Sequence, residues 1–492
     1  MFIKNLEDSM TTAIVCNQWG DTGKGKFVDL LGERSDIIIR GTGGANAGHT
    51  IKLNGDTYVF HLLPSGILHD SQGKINIIGS GVAFDANIVK EELDILKGYG
   101  KSFDNLMVAY NSKLVLPHHL LLDNLISKKK IGTTGKGIGP VYEDYIGRRR
   151  LIVNDILNPS TFHKKLSEVL GHARRFVTSF ESDVVHDVMN SKPLKEGRYF
   201  SNSDKVFDID AIVEDYVAFG REFKDMIRDT DTFARDRLGR KKILLEGAQG
   251  LLLSSDYGAS PFITCSDSSI NGLVKGSGLN RPDVDLVLGI AKFYLTRVGE
   301  GPFPSELGGL VSDEWCNHLA NRELEEESYA FADINDVDDF KRGVAIRRVG
   351  DEYGATTKRP RRTGWLDLPL LKYAMNVNGP NLIITKPDVL TGMDDIKIAF
   401  AYMYEGDDYA FGGSVLKEGD ILTNHIPLSE VMSKCRPLYD VFPGWTEDIS
   451  KISNYDDLPS NFKNILNHIE SETGGKINIV SVGPDRYQTI FK

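Results

Sequence analysis

Cysteine is scarce in this chain. Four among 492 residues (Cys16, Cys265, Cys316, Cys435) lie far apart, with no C-x-x-C pair and no histidine nearby at metal spacing. A disulfide framework or a cysteine-bound zinc is thereby excluded, and reduced thiols are expected. Long apolar runs are missing too. No uninterrupted stretch reaches the roughly 18 residues that a membrane-spanning helix needs, and the opening MFIKNLEDSM carries acidic side chains where a signal sequence has an apolar core. A soluble, cytoplasmic protein with no membrane partner is expected. Positive charge is in deficit, with a net charge of −11. That argues against a broad nucleic-acid surface, so any phosphate must be met by local basic clusters.

What the chain does have is glycine, 49 residues of it, much of it just after short apolar runs, and a hydrophobic fraction of 41%, enough for a sizeable core. The clearest case is Thr12 to Asp29, TAIVCNQWGDTGKGKFVD. A β-branched run gives way to Gly20, Gly23 and Gly25 with Lys24 and Lys26, then to an apolar helical start at Phe27 and Val28. Strand, glycine loop, helix: such a junction aims backbone N–H groups and a positive helix end at one spot, which suits a phosphate. The spacing is G-x-x-x-x-G-K, yet Phe27 stands where a P-loop places its metal-binding Ser or Thr. The loop is a variant, and Asp21 is the candidate to replace that metal ligand.

The same pattern recurs. DIIIR (36–40) runs into GTGGANAGHT, where Asn46 and His49 are the reactive members. INII (75–78) precedes GSGVAFD, a helix is expected over 88–99, and a strand follows from Leu106. Alternating short strands and helical segments predict an α/β fold. Its core is one large, mostly parallel central sheet with flanking helices, small subdomains and the variant phosphate loop after the first strand. IGTTGKGIGP (131–140) sits between the basic runs 128–130 and 148–150, which suit a nucleotide monophosphate or form a solvated face. ILLEGAQGLLL (243–253) places Gln249 at a strand exit, where it reads a base edge or is a satisfied turn residue. GATTKRPRRTGW (354–365) offers arginines for a carboxylate or phosphate. TKPD (385–388) has the form of the N-K-x-D element that reads guanine. The stretch 307–351, with its acidic block ELEEE (323–327), reads as a surface insertion, placed at about 311–349 of an otherwise single domain 1–492. No internal repeat divides the chain.

Taken in order, QWGDTGKGK, GGANAGHT, HLLPSGIL, GTTGKGIGP-x-YED, EGAQG, TRVGEGPFPSEL, GATTKRPRRTGWLDL, TKPDVLTG, PGW and GPDR make the sequence resemble the adenylosuccinate synthetase family from residue 18 to residue 486. The resemblance implies a GTP-driven, carbon–nitrogen-bond-forming ligase of purine biosynthesis that condenses IMP with L-aspartate through a 6-phosphoryl-IMP intermediate. It implies Mg2+ as cofactor, held by Asp21 and the carbonyl of Gly48. In the same terms Asp21 is the base and His49 the acid, with Lys24 and Gln249 completing the catalytic set. Asn46, Thr134, Gln249, Thr264 and Arg359 would bind the nucleotide, together with Arg148 from the second subunit of a homodimer. Val298, Gly299, Thr357 and Arg361 would bind aspartate. GTP would meet Gly20, Gly23, Lys24, Gly25 and Lys26, and its guanine Lys386, Asp388, Ser481 and Gly483. Four positions depart from the family pattern: Thr22 for Glu, Thr42 for Gln, Lys358 for Gly and Val482 for Thr or Ser. They are expected to cluster at ligands and keep two alternatives open: a ligase of the same mechanism acting on GMP, dGMP or another amino acid, and a non-ligase GTP-binding sensor.

Overall fold

The first apolar run is the centre of a ten-stranded sheet. The computed structural model describes residues 2–492 apart from 54–55, 70–72, 128–132, 202–205 and 355–357. Its main strands, in chain order, are β1 (Thr11–Cys16), β2 (Ile37–Arg40), β3 (Ile75–Ile78), β4 (Leu106–Ala109), β5 (Ile227–Arg228), β6 (Ile243–Glu246), β7 (Leu286–Lys292), β8 (Asn381–Thr385), β9 (Lys476–Ser481) and β10 (Thr489–Phe491). They lie in the spatial order β5-β4-β3-β2-β6-β1-β7-β8-β9-β10. Every neighbouring pair is parallel except the antiparallel edge pair β9 and β10. The mostly parallel sheet expected from the strand–helix alternation is present.

Parallel strands buried on both faces read as continuous apolar runs, and β1 shows why. Ala13 and Val15 pack into one face of the sheet with Ile37, Ile39 and Leu245, while Ile14 packs into the other with Phe27, Val28 and Leu31. The last three come from the helix Lys24–Gly32, so the phosphate-type loop is clamped between β1 and a helix that covers the same sheet face. Phe27, the residue in place of a P-loop hydroxyl, is a core residue with no exposed surface.

After β1 the chain works outward through β2 to β5, returns to insert β6 beside β1, and then builds the other half through β7 to β10. The order therefore reverses around β6, β1 and β7. In open α/β sheets ligands bind beyond the carboxyl ends of strands at such a reversal. A second, five-stranded sheet starts directly after β7. Tyr294–Arg297 pairs antiparallel with Arg362–Asp367, setting Arg297 opposite Arg362, and so brings the TRVGEGP and RPRRTGW stretches together.

The expectation of a surface insertion at about 311–349 needs correction. The segment is largely helical (Gly309–Glu314, Arg322–Ser328, Asp339–Gly350), and the last helix buries Phe340, Val344, Ala345 and Ile346. Glu325, in the middle of the acidic block, has no exposed surface. Its carboxylate accepts from Arg347 Nε at 3.0 Å and Nη2 at 2.7 Å, from Trp315 Nε1 at 2.8 Å and from Tyr353 Oη at 2.9 Å. The other acids of the block, Glu323, Glu326 and Glu327, and the side chains of Phe331 and Val337 face outward. Local composition described the outer face of this segment correctly and missed its inner one. No helix among the described residues is long and apolar enough to cross a membrane.

Candidate active site

The loops after β1 and β6 meet at the strand-order reversal. Gly20, Asp21 and Gly23 all have positive φ (100°, 53° and 84°), so the chain coils tightly before the helix Lys24–Gly32 opens without a side-chain cap on its first N–H groups. Asp21 is strained for a residue with a Cβ, as residues held for function tend to be. Gln249 of the opposing loop is left-handed too, at φ 46°. Glycine is obligatory next to it. A Cβ on Gly250 would lie 2.1 Å from Gln18 O and 2.5 Å from Gly20 N, so only glycine lets the two loops touch. Lys24 Nζ donates to Gln249 O at 2.5 Å and closes the junction.

From there a polar chain runs outward: Gln249 Nε2 donates to Asn46 Oδ1 (3.0 Å), and Asn46 Nδ2 donates to Thr264 Oγ1 (3.2 Å). Three residues from three separated segments thus form one hydrogen-bonded row, and Gln249 Oε1 remains buried without a partner. A buried amide oxygen left over is available for a ligand's N–H. Beside the row, His49 opens a strand, with Nδ1 3.8 Å from Glu246 Oε1 and Nε2 buried and unpartnered. Burial, and then the nearby Arg40 guanidinium, hold this imidazole well below its usual 6.5, so it is neutral at neutral pH.

On the far side of the phosphate-type loop, Lys26 Nζ donates to Ser481 Oγ (2.7 Å), Gly483 O (2.9 Å) and Gln488 O (3.0 Å). Burial pushes this lysine down to about 8, with Asp388 and Asp485 opposing. Asp388 keeps Oδ1 buried and unpartnered, and burial raises its carboxyl above the ordinary range. Lys386, left-handed at φ 59°, donates to Gly350 O and Glu352 Oε1, both at 2.7 Å. Arg361 reaches back to the first loop: its Nε lies 3.2 Å from Asp21 Oδ2, while Nη1 donates to Glu352 Oε2 at 2.6 Å. Burial works against its charge, but Asp21 and Glu352 more than offset that and leave the guanidinium more firmly protonated than usual.

A family model described as adenylosuccinate synthetase matches residues 13–490. The chain belongs to the adenylosuccinate synthetase family. It is 37% identical over 485 residues to the adenylosuccinate synthetase of Listeria welshimeri and 38% identical over 485 residues to that of Ligilactobacillus salivarius, each alignment covering 97% of both chains. Among solved structures it is similar to fully ligated adenylosuccinate synthetase from Plasmodium falciparum, with a TM-score of 0.78, 31% identity and coverage of 98% and 100% of the two chains. A more distant likeness, TM-score 0.54 at 18% identity over 98% and 95% of the chains, is to cyanophage S-2L succinoaminodeoxyadenylate synthetase bound to dGMP and dATP, and there it is the fold that is shared. This chain is accordingly a ligase of the adenylosuccinate synthetase type.

Not all residues implied by that family are joined in one chain. Arg148 is exposed at a left-handed turn (φ 62°) after the helix Ile138–Ile146, and Thr134, Val298, Arg359 and Gly48 are likewise exposed. Thr357 lies outside the described residues. The turn carrying Arg148 is braced from below. His119 Nδ1 accepts from Leu116 N at 3.0 Å, so its Nε2 carries the proton and donates to Asp144 Oδ2 at 3.2 Å, as does His118 Nε2. Arg149 Nε donates to the other oxygen at 2.8 Å. The group has the residue types of a metal site, but that tautomer puts a proton where a metal would bind.

Three of the four departures from the family pattern lie inside the fold, and Thr42 among them also borders a large cavity. Thr22 and Val482 have no exposed surface, and Thr42 is buried with Oγ1 donating to Asp267 O at 2.9 Å. Thr22 carries a buried hydroxyl without a partner, while its carbonyl accepts from Thr385 Oγ1 at 3.0 Å. Only Lys358 faces solvent. Sequence reasoning also missed Glu352 and Lys292, which meet at 3.0 Å with no exposed surface. The signal was a lysine closing the apolar strand LVLGIAK, because lysine is almost never fully buried without a partner.

Proposed function

We propose that this chain is a GTP-dependent ligase that condenses IMP with L-aspartate to adenylosuccinate, releasing GDP and phosphate, as a single-domain subunit of a cytoplasmic homodimer in AMP formation. The observation that carries the reading is the convergence, at the strand-order reversal, of the Gln249–Asn46–Thr264 row with the Asp21–Arg361 pair and Lys24.

In this reading Gln249 and Asn46 hold the hypoxanthine, and Asp21 takes the N1 proton, which turns the 6-oxygen into the nucleophile. That oxygen attacks the γ-phosphorus in line and GDP leaves. The aspartate amine then attacks C6, and phosphate departs with the original 6-oxygen. Positioning and charge neutralisation carry such transfers. Lys24 and the uncapped helix start meet phosphate oxygens, and neutral His49 offers an N–H hydrogen bond to the phosphoryl group in transfer. Arg361 and Thr357 take the aspartate carboxylates, Arg359 and the partner-derived Arg148 the nucleotide phosphate, and Asp388 the guanine N–H groups. The Asp21 carboxylate, 36% exposed, and the exposed Gly48 carbonyl are oxygen donors of the kind Mg2+ takes, and the ion would neutralise phosphoryl charge there.

Purified protein supplied with GTP, Mg2+ and L-aspartate is expected to give adenylosuccinate with IMP alone. Turnover with GMP or dGMP in its place would remove IMP as the substrate, and GTP hydrolysis without condensation would make the protein a sensor rather than a ligase. Two variants add detail. Arg148→Leu should raise the KM for IMP about tenfold, a loss of about 1.4 kcal/mol. At IMP well below its KM, where Arg148→Leu alone should run at about a tenth of the wild-type rate, mixing it with Asp21→Asn should raise this to about a quarter, since random exchange makes half the dimers hybrid with one complete site each. Absence of rescue would argue against a shared site. Lys26→Met should raise the KM for GTP about tenfold with kcat within about twofold, because the lysine holds the 481–488 turn and makes no contact special to the transition state.

A further inference from the structure

Glu352 has no part in the chemistry above, yet it is among the most heavily contacted side chains of the site. It is buried with no exposed surface at the exit of the helix Asp339–Gly350. Oε1 accepts from Tyr294 Oη at 2.6 Å, Lys386 Nζ at 2.7 Å and Lys292 Nζ at 3.0 Å, and Oε2 accepts from Arg361 Nη1 at 2.6 Å. Its backbone is engaged as well, its carbonyl accepting from Arg361 N at 2.9 Å. Burial alone would raise this carboxyl, but Lys292, Lys386 and Arg361 keep it well below the usual range. It stays ionised.

The arrangement joins places that the proposed function assigns to different substrates. Lys386 belongs to the turn that faces guanine, and Arg361 to the loop that faces the amino acid and pairs with Asp21. Lys292 fixes the hub to the sheet, since its backbone exchanges hydrogen bonds with the Gln18 side chain of the first loop (3.0 and 2.9 Å). One rigid carboxylate thus serves one subsite with each oxygen. A turn of that group shifts Lys386 and Arg361 together. Three cations (Lys292, Lys386, Arg361) are thus tied together through two carboxylates, Glu352 and Asp21.

We propose that Glu352 is a positioning residue that couples the guanine-nucleotide subsite to the amino-acid subsite, so that filling one sets the geometry of the other. The inference rests on the roles proposed for Lys386 and Arg361. A residue with a merely structural role would change how much folded protein exists, or both KM values independently; a coupling residue changes the dependence of one KM on the other substrate.

The test is a matrix of initial rates at saturating IMP in which GTP and L-aspartate are varied against each other. In the wild type, saturating GTP should lower the apparent KM for aspartate at least about fivefold, the low end of usual coupling. Glu352→Asp keeps the charge but withdraws the carboxylate by one methylene, so it cannot span both partners. Lys292→Met/Glu352→Gln removes one charge of each sign and leaves the net charge of the cluster unchanged. In both, the GTP effect on aspartate should fall to within about 1.5-fold of none. A wild type whose two KM values are independent, or variants that keep the wild-type dependence, would overturn the proposal. So would the failure of both variants to fold by thermal melting, since Glu352 would then be a stability residue. A wild type that makes no adenylosuccinate at all would refute the functional reading itself, which separates the two failures.

Discussion

Replacing Asp21 by asparagine should cut the rate of phosphoryl transfer at least about a hundredfold while leaving IMP affinity within a few-fold of wild type. General-base catalysis contributes roughly a hundred- to ten-thousandfold, and a hundredfold corresponds to about 2.7 kcal/mol of barrier. The substitution is a clean one for a structural reason. Asp21 sits at φ 53°, a conformation that asparagine tolerates nearly as well as aspartate, so the loop between Gly20 and Gly23 keeps its shape. The amide cannot take the N1 proton, and the charge opposite Arg361 is lost. Nucleotide contacts from Asn46, Gln249 and Thr264 do not involve Asp21 and should survive. Single-turnover phosphorylation together with IMP titration would check both halves, and retention of more than about a hundredth of the rate would end the base assignment.

The second large effect concerns stability. Glu325→Ala should cost about 3–5 kcal/mol, because it strands Arg347 as an uncompensated charge in the core. Arg347 has no exposed surface, and its Nη1 already lacks a partner. Trp315 and Tyr353 lose their acceptor in the same stroke. Replacing both members of the pair, as Glu325→Leu/Arg347→Met, should recover most of the loss, since apolar residues of similar volume often match a buried ion pair. Urea unfolding would show the single variant's midpoint falling sharply with an unchanged slope and the double variant's returning. A single variant as stable as wild type would mean that the acidic segment is a surface appendage after all.

That contrast marks what could be read from the chain. The sheet was legible because its strands are buried on both faces, so β2 and β3 appear as short apolar runs that stop at glycine, and β1 and β8 as runs that reach glycine or proline within a few residues. The glycine-bearing loops of the candidate site were legible for the same reason, each being the punctuation at a strand end. Asp21, Lys24, Asn46 and Gln249 could be named from position alone, and the structure joins the last three by hydrogen bonds. Pairings across the fold left no such local trace. Glu325 stands in a run of acids that looks solvated, and its partner lies 22 residues downstream. Glu352 answers to Lys292, 60 residues upstream, and to Lys386, 34 residues downstream. Thr22, Thr42 and Val482 stand out against the family pattern, but only the packed structure shows that they face inward.

The fate of one oxygen atom decides the mechanism. If Asp21 frees the 6-oxygen of IMP to take the γ-phosphoryl group, then IMP labelled with oxygen-18 at position 6, turned over with GTP, Mg2+ and L-aspartate, should yield phosphate carrying one oxygen-18 for every adenylosuccinate formed. Mass spectrometry of the released phosphate decides it: full transfer of the label is the predicted result, and unlabelled phosphate alongside adenylosuccinate would contradict the 6-phosphoryl mechanism outright.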